Sequence, residues 1–167
     1  MSSAQFYTLT SYNGGGGQDG NFKVSNSPVD FTTSFREPIR ILPYSKIKLQ
    51  FVKIRMDSNT DYKPCYIVSP TFTTLSSQVA EIGNVGLLGV VNLEGDDLGA
   101  KETLVENNSF PYIDINNTET LNLSEIHIRL LGLSGAVYSN VNTASNDIEK
   151  ATLLGIHIIT PQFRDIV

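Results

Sequence analysis

Two histidines, His127 and His157, are the residues of this sequence best suited to proton transfer or metal binding. Each stands between isoleucines, Ile126 and Ile128 in one case and Ile156 and Ile158 in the other, so both take the outward phase of an alternating strand. If those strands pair, the two imidazoles would supply half of a zinc site or a general base. A catalytic zinc asks for three protein ligands, and a nucleophilic site asks for a base beside a serine or cysteine. Two histidines alone meet neither requirement. Cys65 is the single cysteine. It opens a short apolar run after Lys63 and Pro64, where a buried small hydrophobe is the better reading than a reactive thiol. One thiol excludes an intramolecular disulfide and a multi-thiolate metal site within the chain.

The carboxylates are similarly undirected. Asp96 and Asp97 lie in an acidic turn, Glu94 to Gly99, without the alternating order and terminal glutamate of a calcium loop. Asp114, Glu119, Glu125 and Asp147 are dispersed, and no spacing forces two of them together as a glycosidase pair. The glycine run from Gly14 to Gly20 lacks the Gly-Lys-Ser or Gly-Lys-Thr and the following helix of a phosphate cradle, so it reads as a flexible loop. Tryptophan is absent, which weakens a sugar-stacking platform, although the tyrosines can substitute. No catalytic, cofactor-binding or metal-binding residue is assigned on this basis, and no enzyme activity or cofactor is expected.

The bulk composition narrows the class further. The 167 residues suit one domain with one core. Hydrophobic residues make up 40%, enough for a globular interior, while the 17% charged fraction is low and is replaced by turn-forming Asn, Ser, Thr and Gly. A net charge of −5, with the twelve Lys and Arg nowhere in a block, argues against a broad nucleic-acid surface. No apolar stretch is long enough for a membrane-spanning helix, and the opening Met-Ser-Ser-Ala-Gln-Phe-Tyr-Thr-Leu-Thr has neither the basic nor the apolar region of a secretory signal. Synthesis in the cytosol is therefore expected.

The elements that must position these residues have a two-residue rhythm. Strands are expected over Gln5 to Thr10, around Phe22 and Val24, over Val29 to Phe35 and over Pro38 to Leu42, followed by a turn at Leu42 to Ser45. In Ser45 to Met56 the apolar positions run Ile47, Leu49, Phe51 and then change phase to Val52, Ile54, Met56. A β-bulge near Phe51 and Val52 accounts for this. Asp57 to Pro64 reads as a loop and Cys65 to Ser69 as a short strand. Thr73 to Ile82 spaces Leu75, Val79 and Ile82 for a helical face, and a short helix or an irregular segment both fit. Gly86 to Leu93 is a near-continuous apolar run, suited to a strand covered on both faces or buried at a subunit contact. Short strands follow at Thr103 to Val105 and Tyr112 to Ile115, then stronger ones at Glu125 to Leu131 and Ala151 to Thr160. Between those two lie a tight turn at Leu133 to Gly135 and a polar loop at Ala136 to Asn146. Many short strands with turn signals between them indicate an all-β antiparallel sandwich of jelly-roll type, with at most one short helix.

Several segments carry a resemblance in this order. They are Asn21-Phe22-Lys23-Val24, then Glu37 to Leu49 as Glu-Pro-Ile-Arg-Ile-Leu-Pro-Tyr-Ser-Lys-Ile-Lys-Leu, then Leu-Gly-Val-Val at Leu88 to Val91. Pro-Tyr-Ile-Asp-Ile-Asn-Asn at Pro111 to Asn117 follows, then an Ile-x-Ile-x-Leu strand and turn at Ile126 to Gly135, and a last strand at Leu153 to Ile159. This layout resembles the single jelly-roll capsid proteins of double-stranded DNA viruses in the virophage, polinton-like and giant-virus group. The resemblance implies an eight-stranded jelly roll spanning residues 1–167 with N- and C-terminal arms, Met1 to Tyr12 and Pro161 to Val167, reaching neighbours. It also implies a virion structural protein, a penton subunit forming a homopentamer at the five-fold vertices of an icosahedral capsid, in contact with itself and with the major capsid protein. A minor (cement) capsid protein and a β-sandwich receptor- or glycan-binding module are the rival readings.

Overall fold

The computed structural model describes residues 3–12, 27–56, 63–72, 86–93, 101–106, 110–138 and 151–160. Nine strands run through them: β1 (Ser3–Thr10), β2 (Asp30–Ile41), β3 (Lys46–Met56), β4 (Lys63–Val68), β5 (Leu87–Leu93), β6 (Lys101–Glu106), β7 (Ile113–Asp114), β8 (Leu121–Leu131) and β9 (Leu153–Thr160). Eight have six residues or more, and β7 has two. No helix occurs among the described residues. The expected strand at Phe22 and Val24, the ambiguous Thr73 to Ile82 segment and the glycine run lie outside them.

The strands form two antiparallel sheets. Sheet A has the order β1-β9-β3-β6, with β7 also on β3, and sheet B the order β2-β8-β4-β5. The pairing is nested: β1 meets β9, β2 meets β8, β3 meets β7 and β6, and β4 meets β5. A chain paired in this way is one long two-stranded ribbon. Rolling the ribbon over two layers adds the β3–β9 and β4–β8 contacts, and the product is a jelly-roll sandwich.

Alternation explains why these segments become strands and where they point. Ile126, Ile128 and Leu130 of β8 are buried, as are Leu154, Ile156 and Ile158 of β9, and they meet Leu9, Phe31, Ile47, Leu49, Val52, Ile54 and Ile67 in one core cluster between the sheets. Each such side chain contributes about 1.5–3 kcal/mol by leaving water.

The phase change in β3 is present. Residues 46–49 pair with 159–156 in step, and the register then shifts between Leu49 and Phe51. Gln50 is the extra residue, so Gln50 and Phe51 both face outward while Leu49 and Val52 both face the core. Phe51 therefore leaves the inward set to which the alternation assigned it, and the bulge falls one residue earlier than expected.

Two further segments lie at sheet edges. The segment Met1 to Tyr12, expected as an arm, is taken up from Ser3 to Thr10 by pairing with β9 of the same chain. These residues form the edge strand of sheet A. The apolar run Gly86 to Leu93 is not sandwiched within the chain: β5 ends the order of sheet B, and Val90 is 45% exposed. The C-terminal arm from Pro161 lies outside the described residues.

The turn between β2 and β3 is held by one buried side chain. The Asn117 amide donates to the carbonyls of Leu42 (2.8 Å) and Glu119 (3.0 Å), and its Oδ1 accepts from the Ser45 N–H (3.3 Å). The Asn117 carbonyl accepts from the Tyr44 N–H at 2.8 Å. This clamp keeps Tyr44 at a φ of 61°, a left-handed conformation costly for a side chain of its size.

Candidate functional site

The outer face of sheet A gathers the most varied chemistry among the described residues. Outward positions of β9 are Leu153, Gly155, His157 and Ile159, because the alternate residues fill the core. His157 is paired in register with Phe6 of β1 on one side and Lys48 of β3 on the other. Gly155 is paired with Thr8 and Phe51, and Phe51 in turn with Glu106 of β6. The bulge at Gln50 delivers an amide and an aromatic ring, consecutive in sequence, to the same side of the sheet.

Gly155 is needed for the ring to settle there. A Cβ at this position would collide with Phe51 Cε1 and Cδ1, so Phe51 lies flat over a strand residue that has no side chain. The Phe6 ring stands beside it, 6.3 Å between centroids and tilted by 39°. Phe6, Gln50, Phe51, Glu106 and His157 line an open groove of about 630 Å³.

The polar groups of this face have assigned directions. His157 Nδ1 lies 2.9 Å from the Tyr112 hydroxyl and 3.4 Å from Gln50 Nε2. Both neighbours can donate, so Nδ1 is the acceptor and the neutral ring carries its proton on Nε2. Lys48 Nζ sits 5.4 Å from the centroid of the Tyr112 ring, a cation–π contact. Lys46 and Asp114 pair at 3.4 Å and Lys53 and Glu102 at 3.3 Å, both near the surface, where such pairs contribute little.

The outer face of sheet B holds a different cluster. Asp30 opens β2 in register with Arg129, and its carboxylate takes a short hydrogen bond from His127 Nε2 through Oδ1 while Oδ2 lies 3.3 Å from Arg129 Nε. The backbone around His127 is held where β4 stops: Ser69 Oγ donates to the His127 carbonyl at 2.7 Å, and Thr71 Oγ1 accepts the His127 N–H at 2.9 Å. The nearby serine hydroxyl is thus used by a carbonyl and not by the imidazole.

His127 and His157 are therefore not brought together. They belong to different sheets and each faces outward from its own, which removes the shared zinc or general-base site that pairing of their strands would have built. Asp114 is on sheet A and Glu125 on sheet B, so they do not form a pair either; Asp96, Asp97 and Asp147 lie outside the described residues. Among the described residues no three His, Cys, Asp or Glu side chains gather as a metal site, and no helix is long and apolar enough to cross a membrane. Cys65 is fully buried, and burial pushes its thiol up to about 12. A thiol held in its protonated form is a poor nucleophile at neutral pH.

The sequence reading missed Phe6, Phe51 and Glu106 as neighbours. The available signal was the phase change itself, since a bulge turns two adjacent residues to one face, together with a glycine in an otherwise apolar strand.

No protein-family model matches this sequence. No curated protein matches it either. Among solved structures, the infectious bursal disease virus VP2 subviral particle aligns with 93% of this chain and 32% of its own, at a TM-score of 0.32 and 11% identity. This chain thus spans about a third of the length of that one. A superposition this loose carries no argument.

Proposed function

We propose that this chain is a structural protein of a virus particle, a penton subunit that assembles as a homopentamer at the five-fold vertices of an icosahedral capsid and meets the major capsid protein there. The observation that carries the reading is the nested jelly-roll winding of β1 to β9, which joins the ordered capsid-like segments from Glu37 to Ile159 into one sandwich. This winding gives the molecule two unlike flanks. Strands β1 and β2 end their sheets on one side, β6 and β5 on the other. Unlike flanks suit head-to-tail contacts, and head-to-tail contacts that close on themselves make a ring. The edges also differ in guarding: β2 carries Arg36, Glu37, Pro38 and Arg40 and a register shift between Ser34 and Ile39, whereas β5 has no charged residue. Charge, proline and irregularity discourage strand addition, and their lack on β5 favours a neighbour.

Native mass spectrometry of the purified protein, with imaging of particles that contain it, tests the reading. Pentamers and density at the vertices are expected. A protein that stays monomeric at all concentrations and is absent from particles overturns it, and copies located away from the vertices assign the chain to the minor capsid class.

A further inference from the structure

The groove on the outer face of sheet A has a composition that general interface burial does not require. Phe51 alone covers Gly155, yet a second ring, Phe6, stands 54% exposed beside it. Around the two rings are three planar polar groups of different character. Gln50 uses its amide nitrogen toward His157. The Glu106 carboxylate has no side-chain partner among the described residues. The His157 ring, with Nδ1 engaged by Tyr112, keeps Nε2 as a donor.

Two adjacent aromatic faces next to a carboxylate, an amide and an imidazole match a small ring that is apolar on one face and carries neighbouring hydroxyls on its edge. We propose that this groove is a binding subsite for a neutral pyranose sugar. The C–H face of the ring stacks on Phe6 and Phe51. Adjacent hydroxyls donate to Glu106 and to Gln50 Oε1, and one accepts from His157 Nε2. The carboxylate lining the groove disfavours acidic sugars. The groove is wide open, so a ring lying on it keeps one face in solvent and binding is expected in the millimolar range. The inference is independent of the assembly read above, since it uses only side chains of one chain on the outer face of one sheet.

Saturation-transfer NMR on the whole protein with the methyl glycosides of glucose, galactose and mannose at millimolar concentration tests it, with methyl sialoside as the acidic comparison. Saturable transfer from at least one neutral glycoside is expected, with amide shifts in the wild-type protein at Phe6, Gln50, Phe51, Glu106 and His157. Phe6→Ala and Glu106→Ala should each weaken it roughly tenfold. Phe6 and Glu106 are both exposed, so amide spectra of the variants should otherwise keep the wild-type pattern. Absence of transfer from all three neutral glycosides, transfer that survives both substitutions, shifts elsewhere on the protein, or preference for the sialoside overturns the proposal. Should either variant fail to fold, the wild-type shift map alone decides.

Discussion

At the scale of single residues, the buried polar and ionisable groups make the firmest predictions. Asn117 joins its own loop to the Leu42–Ser45 turn through hydrogen bonds that no other residue type of its size reproduces. Asn117→Ala should cost about 2–3 kcal/mol, because it leaves the Glu119 carbonyl and the Ser45 N–H without their side-chain partner and the Leu42 carbonyl with the Ser45 hydroxyl alone. Urea unfolding monitored by tyrosine fluorescence measures this. Cys65 sets a pH dependence. Its folded value is raised from 9.0 to about 12 by burial, so its contribution is fully present below 9.0 and is lost as pH climbs toward 12. Within that window stability should fall by about 1.4 kcal/mol per pH unit from this group. Burial raises Tyr7 and Tyr138 as well, which adds loss in the same direction. Unfolding free energies at a series of alkaline pH values, compared with Cys65→Ala, isolate the thiol, and the variant should show the shallower slope. That Cys65 is buried was legible from its place at the head of an apolar run. The Asn117 clamp was not, because its partners lie 72 and 75 positions away.

At the scale of elements, the rhythm of apolar residues carried most of the information. Strands β3, β8 and β9 fall where alternation put them, since one buried face forces every second residue to be apolar. The bulge was legible for the same reason, although its exact residue depended on the partner strand. Deleting Gln50 should restore unbroken pairing with β9 and keep Leu49 and Val52 facing the core, with Phe51 between them facing outward. The expected outcome is a cooperative thermal transition that is retained, followed by circular dichroism, whereas deleting Leu49 or Val52 instead should abolish it. Gly86 is the second position where an element depends on one residue. It sits at φ 68° with a built Cβ 2.7 Å from the Phe72 carbonyl oxygen and still closer to that of Ser69. Backbone atoms cannot swing aside, so Gly86→Ala should cost about 3 kcal/mol or more by chemical denaturation. Gly155→Ala meets the Phe51 ring, a side chain on the outer face that can rotate away where backbone cannot, and should cost less.

At the scale of the whole molecule, the nested winding places the start of the described chain against its end, with Ser3 paired to Thr160. Contacts of that sequence separation are slow to form, and refolding in milliseconds to seconds is expected from stopped-flow measurements. Removing residues 1–10 would uncover the full length of β9, a strand without charge, and also the core contact of Leu9. The truncated protein should aggregate at concentrations where the intact one stays soluble, which light scattering reports.

The sequence by itself determined the class: an all-β antiparallel sandwich, the face that each clear strand turns inward, and a composition unsuited to broad nucleic-acid binding. These follow from local periodicity and charge, which need no knowledge of distant partners. Only the tertiary structure decided that His127 and His157 face away on different sheets, that residues 3–10 close sheet A, and that Phe6, Phe51 and Glu106 border one groove. Each of these depends on which strands become neighbours. Strand order is settled by the packing of the whole ribbon, and a two-residue repeat is the same whichever neighbour a strand acquires.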